Sequence, residues 1–212
     1  RKPDLVDRWL SLAELQLRHA QSDPSLDVAD AIDSWRHAMA IHNQDASLAL
    51  QVAEHVRQAL NRYQSFGESR DRRVREELES CYREAVGREV NPMTCQALGD
   101  FLNQQGRVDE AIAVWRKIAD SGSPADWRRV ANILAATDQF AAAQSALQQA
   151  LEINSGELST WQAWIALLQQ QKKHTASVAV AEQMSQQSPR DSRWQRTAAQ
   201  LAVPGILAQG QA

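Results

Sequence analysis

The histidines and cysteines, the residue types that most often bind metals or act as nucleophiles, are few and widely spaced. The five histidines lie at positions 19, 37, 42, 55 and 174, and no two are four residues apart, the spacing that puts two ligands on one helix face. Cys81 and Cys95 also lack metal-ligand spacing. The spacing predicts no metal site and two reduced cysteines, with a disulfide between neighbouring helices as the alternative.

Catalytic motifs are missing from the sequence. It has no glycine-rich phosphate loop, no Gly-x-Ser-x-Gly nucleophile turn and no His-Glu-x-x-His zinc motif. Carboxylate pairs such as Glu76 and Glu79 are expected by chance on charged helices. The sequence therefore predicts a non-catalytic protein without a cofactor.

One basic cluster stands out, formed by Arg70, Arg72, Arg73 and Arg75. Four guanidinium groups this close could bind an acidic partner or a phosphate. Acidic residues follow at once, and the i, i+4 spacing predicts the ion pairs Arg72–Glu76 and Arg75–Glu79. The spacing favours a solvated, salt-bridged helix face over a binding site.

The composition predicts helices to position these residues. The 212 residues include 34 Ala and 24 Gln, whereas Gly (8) and Pro (6) together make 14. Ala and Gln favour helix, and Gly and Pro interrupt it. The net charge of −3 lacks the basic excess of nucleic-acid-binding proteins.

No apolar run is long enough to cross a membrane, and no N-terminal segment resembles a signal peptide. We expect a bacterial protein of the cytoplasm or the periplasm and leave the compartment open. A chain that begins with Arg1 rather than Met is compatible with a fragment of a larger protein.

Apolar residues recur with helical periodicity between the Gly and Pro positions. Val6, Leu10, Ala13 and Leu17 are one example, and they share one helix face. Eleven such segments follow one another with short connections and no alternating strand pattern. Short connections make consecutive helices antiparallel neighbours, so an all-α fold of about eleven helices is predicted.

A repeat organises the second half of the chain. Trp127 and Trp161 are 34 residues apart, and units that begin at Pro124 and Leu158 align throughout. A shorter unit begins at Pro92. In this register the small residues at positions 8, 20 and 27 let helices approach closely, and large residues fill positions 4, 7, 11 and 24. The small residues include Gly99, Ala111, Ala131, Ala143 and Ala150.

This pattern resembles the tetratricopeptide repeat, clearly over about 92–191 and in degenerate form over 1–90. The resemblance implies a right-handed superhelix of antiparallel helix hairpins, an α-solenoid. Its units would be 92–123, 124–157 and 158–191. A capping helix would cover 192–203 and a flexible tail 204–212. Residues 1–90 would form two degenerate units with lengthened helices, or a separate helical cap.

The repeat also supplies an interpretation of the tryptophans. Aromatic stacking on sugars or bases is one use of exposed tryptophan. Six of the seven, however, occupy packing positions of the repeat, which favours core packing. Trp194 is the least explained of the seven.

In tetratricopeptide proteins the first helices of successive hairpins line a concave groove. The resemblance implies a groove that binds a protein or peptide through polar side chains. These are Gln96, Asp100, Asn103, Arg128, Arg129, Asn132, Gln162 and Gln169. Arg128 and Asn132 match two positions of the family's carboxylate clamp. The rest of that clamp is missing, since Ala163 stands where an Asn is expected.

A protein-interaction scaffold is therefore the predicted function, without nucleic acid or membrane insertion. Two alternatives stay open. The chain could be the repeat portion of a larger enzyme, such as a glycosyltransferase or a sulfotransferase. It could also assemble with itself through the ends of the helix stack.

Overall fold

The computed structural model describes residues 4–23, 26–63, 66–187, 189–190 and 192–209. Within these ranges it contains eleven α-helices, one short 3₁₀ helix and no strand. The predicted all-α fold of helix hairpins is confirmed. The chain divides into two compact units, Arg1–Val114 and Trp115–Ala212, which are taken separately below. The predicted boundary at residue 90 separates degenerate from regular repeats, whereas these units are separated by compactness. That boundary stays a prediction.

The first unit consists of two hairpins followed by two further helices, the second of which ends beyond the unit. Its helices are α1 (Leu5–Ser22), α2 (Ala29–Ala40), α3 (Ala46–Arg62), α4 (Glu68–Arg88), α5 (Pro92–Gln104) and most of α6 (Val108–Arg116). Helix α1 packs against α2, α3 packs against α4, and α5 contacts both α3 and α4. Helices α3 and α4 have 17 and 21 residues, whereas α5 has 13.

The second unit is more regular. After a 3₁₀ helix at Lys117–Ala119 come α7 (Pro124–Ala136), α8 (Phe140–Ile153), α9 (Leu158–Gln170), α10 (His174–Gln187) and α11 (Ser192–Gln209). Helix α7 packs against α8, α9 against α10, and α10 against α11. Both α7 and α9 have 13 residues, and both α8 and α10 have 14.

The turn inside each of the last three hairpins has the same geometry. Gly106, Asp138 and Lys172 adopt left-handed backbone angles, with φ of 75°, 60° and 57°. The amide of the next residue then donates to a carbonyl five residues back, as in Lys173 to Leu168 at 2.9 Å. This is the Schellman helix ending. Because all three turns fall at position 15 of the repeat, the backbone itself repeats.

The small and large positions of the repeat pack as the register predicts. Ala131, Ala143 and Ala150 are at most 2% exposed, and Leu134 and Leu147 beside them are at most 1% exposed. Small side chains allow the close helix contact, and the leucines fill the remaining volume. This pattern explains why alanine is so common in the sequence.

The tryptophans belong to the packing, as predicted. Trp35, Trp115, Trp161 and Trp194 are buried, and the other three are partly buried. Trp194 is explained by the core of the second unit, where it lies in one apolar cluster with Trp161, Met184 and other side chains.

Helix α11 extends beyond its predicted end. The sequence predicted a capping helix over 192–203 and a flexible tail over 204–212. The helix instead continues to Gln209, through Ile206, Leu207 and Ala208, residue types compatible with helix. The tail predicted at 204–212 is therefore helical as far as Gln209, and residues 210–212 lie outside the described ranges.

Candidate functional site

The first helix of the α5–α6 hairpin is placed by its N-terminal cap. The Asn91 side chain accepts hydrogen bonds from the amides of Met93 (2.9 Å) and Thr94 (3.0 Å). The Thr94 hydroxyl in turn accepts from the Asn91 amide at 3.1 Å. This capping box fixes where α5 begins, and with it the direction in which the predicted residues of α5 point. Gln96 is exposed, and Asp100 and Asn103 are partly exposed.

A cleft of about 420 Å³ lies between α3, α4 and α5 in the first unit. Asp100 is the one predicted site residue among its lining side chains. The apolar part of the lining includes Leu78, Tyr82 and Phe101, and the charged part consists of Arg57, Asp71, Arg75 and Asp100. The cleft therefore combines aromatic side chains with charges of both signs.

The aromatic surface of the cleft is formed mainly by two rings. The Tyr82 and Phe101 rings lie 5.6 Å apart between centroids, with their planes tilted by 47°. Each of the two residues is 8% exposed. Burial raises the pKa of the Tyr82 hydroxyl, so this hydroxyl is protonated at neutral pH and can donate a hydrogen bond.

The charged residues of the cleft differ in their partners. Arg57 pairs with Glu54 at 2.8 Å, and the Asp71 carboxylate accepts the Phe66 amide at 2.8 Å. Arg75 is exposed and, among the residues that the structure describes, forms no ion pair. Its guanidinium is thus the cation of the cleft that has no carboxylate of its own.

The predicted Arg75–Glu79 ion pair is wrong. Glu79 instead accepts from Arg83 and Arg107, each at 2.7 Å, and two guanidinium groups occupy its oxygens. Burial works to raise the pKa of Glu79, but the hydrogen bonds from these arginines outweigh it and the pKa lies below its usual value. The companion pair Arg72–Glu76 does form, at 3.9 Å.

In the second unit, Arg128 is engaged inside the protein. It donates to the Glu157 carboxylate at 2.5 Å and to the Ser159 hydroxyl at 2.9 Å. Both acceptors lie at the start of α9, so the contact ties α7 to the next hairpin. Burial works to raise the pKa of Glu157, but hydrogen bonds from Thr160 and Arg128 lower it on balance. Arg128 therefore has an internal structural role that the spacing alone did not indicate.

The other predicted residues of the second unit lie nearer to solvent. The side chain of Arg129 is 53% exposed and lies 3.9 Å from Asp126, at the limit of an ion pair. Asn132 on α7 and Gln162 on α9 are exposed, and Gln169 is partly exposed. The structure thus leaves Arg129 as the more accessible basic group of α7.

Sequence reasoning missed most of the cleft. Arg57, Arg75 and Tyr82 line it, yet only Asp100 was selected. The available signal was the basic cluster at the start of α4, which contains Arg75. It was discounted because a carboxylate follows at i+4, and that carboxylate has other partners.

Cys81 and Cys95 are both buried, and neither forms a disulfide. Burial raises the pKa of the Cys81 thiol. Across the described ranges no cluster of three or more potential metal ligands is present. None of the helices described combines the length and apolarity needed to traverse a bilayer.

Comparisons with known proteins give structural similarity only. No family model matches the chain. No curated protein matches it either. Solved structures similar to it include MamA, with a TM-score of 0.41 and 8% identity over 87% of this chain and 91% of that chain. PilF of Pseudomonas aeruginosa has a TM-score of 0.40 and 15% identity over 97% and 90%. YrrB, described as a tetratricopeptide protein with an unusual peptide-binding site, has a TM-score of 0.40 and 10% identity over 89% of each chain.

The internal repeat carries the fold assignment. Helices α7 and α9 begin 34 residues apart, at Pro124 and Leu158, and α8 and α10 do the same, at Phe140 and His174. The turns between them share one left-handed position. By helix lengths, register and turn geometry, the chain has a tetratricopeptide-like fold of antiparallel helix hairpins.

Proposed function

We propose that the chain is a non-catalytic scaffold that binds a peptide segment of a protein partner. In the second unit the contact surface would be the exposed faces of the first helices, α7 and α9, and in the first unit it would be the exposed face of α5. Repeat proteins commonly bind partners in this way, because each unit adds surface while contacting only its neighbours.

One observation carries this proposal: the first helices α7 and α9 each bury one face and leave polar side chains exposed on another. On α7, Val130 and Leu134 are fully buried, whereas Arg129 and Asn132 are exposed. On α9, Ile165 is fully buried, whereas Gln162 is exposed. Amide and guanidinium groups can bond the backbone of an extended peptide without deforming the helices.

The experiment starts from peptides of about twelve residues, which span about 40 Å when extended, selected from a random phage library on the full chain. Arg129→Ala combined with Asn132→Ala should lower the affinity of peptides that bind the second unit by about tenfold, because two to three hydrogen bonds are lost. Circular dichroism should stay unchanged, since both side chains are exposed.

The matched control is Gln148→Ala on α8, an exposed residue of a second helix in the same unit. Its substitution should leave the affinity unchanged. Peptides whose affinity responds to Gln148→Ala and to no first-helix substitution would contradict the proposal. Failure to select any peptide on repeated attempts would count against it as well.

A further inference from the structure

The cleft between α3, α4 and α5 contains the Arg75 guanidinium, which forms no ion pair among the described residues. Every other arginine of the basic cluster at the start of α4 has a partner or an electrostatic contact. Arg72 pairs with Glu76, and Arg73 pairs with Asp27 at 2.5 Å. Arg70 is 3.5 Å from the Phe66 carbonyl oxygen. Of the four arginines in this cluster, Arg75 is the one that lines the cleft.

Within α4, which the structure describes throughout, Arg75 has no ion-pair partner because the nearby carboxylate of Glu79 is occupied by other arginines. Glu79, one helical turn further on, would be its ordinary partner. Arg83 and Arg107 hold both oxygens of that carboxylate. Arg107 is held in turn by Glu110 at 2.7 Å. This closed network of two arginines and two glutamates is satisfied without Arg75, which stays available to an anion from outside.

Part of the cleft lining beside Arg75 is apolar. Leu78 follows Arg75 by three residues on α4 and is 3% exposed, and the Tyr82 and Phe101 rings continue the same lining. An anion without an apolar group would leave this aromatic surface uncovered. A carboxylate with a large apolar group beside it can therefore contact both Arg75 and these side chains.

The aspartates of the cleft restrict the ligand further. Asp71 and Asp100 line the same volume, and a second carboxylate of the ligand would meet one of these negative charges. Like charges at short range are unfavourable. The cleft thus suits a ligand with a single carboxylate and disfavours a run of acidic residues or a phosphate, which carries more charge.

We propose that this cleft binds a peptide segment in which one Asp or Glu lies beside a large aliphatic or aromatic residue, with the carboxylate on Arg75 and the apolar side chain against Tyr82 and Phe101. This rests on the proposed function and names the chemistry of its partner in the first unit.

The test uses peptides of about twelve residues, selected from a random phage library on the full chain and measured by fluorescence anisotropy. Selected peptides should be enriched in one acidic residue within two positions of Phe, Tyr, Trp, Leu, Ile or Met. Arg75→Gln should weaken their binding by about tenfold or more, because a charge-assisted hydrogen bond is lost. Arg75→Lys should retain part of the affinity. Arg72→Gln, the same change on the same helix outside the cleft, should change affinity less than twofold.

A double-mutant cycle between the peptide and Arg75 tests their contact even if Arg75→Gln affects folding. The acidic residue of the peptide is changed to its amide, and the peptide is measured against the wild-type chain and Arg75→Gln. Since both changes remove the same contact, the two together should weaken binding no more than either alone. Additive losses would overturn the assignment of the carboxylate to Arg75.

The outcomes separate this inference from the proposed function. Peptides that lack an acidic residue, or that bind Arg75→Gln as tightly as wild type, overturn the cleft assignment. If the affinity of the same peptides falls with Arg129→Ala and Asn132→Ala, the scaffold proposal survives. Peptides indifferent to all of these substitutions contradict both.

Discussion

The long hairpins of the first unit and the regular hairpins of the second both bury alanines at helix contacts, but they differ in how regularly these contacts recur. In the second unit alanines and leucines at fixed repeat positions are almost fully buried, and helix contact comes from close packing. In the first unit the Glu77 carboxylate is 3% exposed and contacts the Arg36 guanidinium at 2.8 Å. Apolar packing tolerates little variation in shape, whereas long charged side chains bridge less regular gaps.

A second example in the first unit is Arg88 at the end of α4. Its guanidinium donates to the carbonyl oxygens of Met39 (3.1 Å) and Asp45 (2.8 Å). These carbonyls belong to the end of α2 and the turn after it, where backbone acceptors lack helix partners. One arginine thus links the end of α4 to the α2–α3 turn through backbone acceptors.

The largest effect is expected from the packed region. Trp161→Ala should lower the free energy of unfolding by about 3–5 kcal/mol, because the ring is 6% exposed and its indole N–H donates to the Ser155 carbonyl at 2.8 Å. Urea denaturation followed by circular dichroism measures the change. Trp161→Phe should retain most of the stability. A loss below about 1 kcal/mol would show that packing of this kind does not dominate the second unit.

A smaller loss should come from breaking the buried pair of the first unit. Arg36→Ala leaves the Glu77 carboxylate buried without its cation, and we expect a loss of about 2 kcal/mol, reduced because the arginine side chain is largely exposed. Arg36→Met combined with Glu77→Leu should recover most of it, since neither charge then remains. A double variant as unstable as Arg36→Ala would contradict this explanation, because the loss would then not come from an unpaired buried Glu77 charge. The same denaturation assay applies.

The pH dependence of stability tests the ion pairs of Glu79 in the first unit. The pKa of Glu79 is lowered in the fold, the bonds from Arg107 and Arg83 outweighing burial. Its contribution is therefore present above the ordinary glutamate pKa of 4.5 and is lost as the pH falls through the lower folded value. Glu79→Gln should remove this contribution, about 1 kcal/mol or less. Unfolding curves of wild type and variant should converge at low pH; a constant difference would contradict the ion-pair explanation.

The smallest change in stability is expected at the left-handed turn residue that the last three hairpins share. Lys172 occupies a left-handed conformation, at φ 57°, in which a side chain is unfavourable and glycine is not. Lys172→Gly should stabilise the chain by about 0.5–1 kcal/mol, and Gly106→Ala should destabilise it by a similar amount. Gln148→Gly within α8 is the control and should be destabilising by about 1 kcal/mol. In thermal denaturation the melting temperature should rise for Lys172→Gly and fall for Gln148→Gly. Shifts in the same direction would contradict the turn geometry.

The sequence predicted what depends on periodicity and could not predict what depends on competition between side chains. The 34-residue spacing of Trp127 and Trp161 was enough to locate the hairpins, because packing positions recur with the helices. The sequence could not predict the partners of Glu79, because three arginines compete for this carboxylate and Arg107 comes near it only in the folded chain. The same applies to Arg128, whose partner Glu157 is 29 residues away.

The measurement that tests the central claim most directly is photo-crosslinking of a selected peptide that carries a benzophenone side chain, with adducts located by mass spectrometry. Binding to the first-helix faces predicts adducts on α5, α7 or α9, and in the Arg75 cleft for peptides with an acidic residue beside an apolar one. Adducts confined to the second helices α6, α8 and α10 would contradict the account.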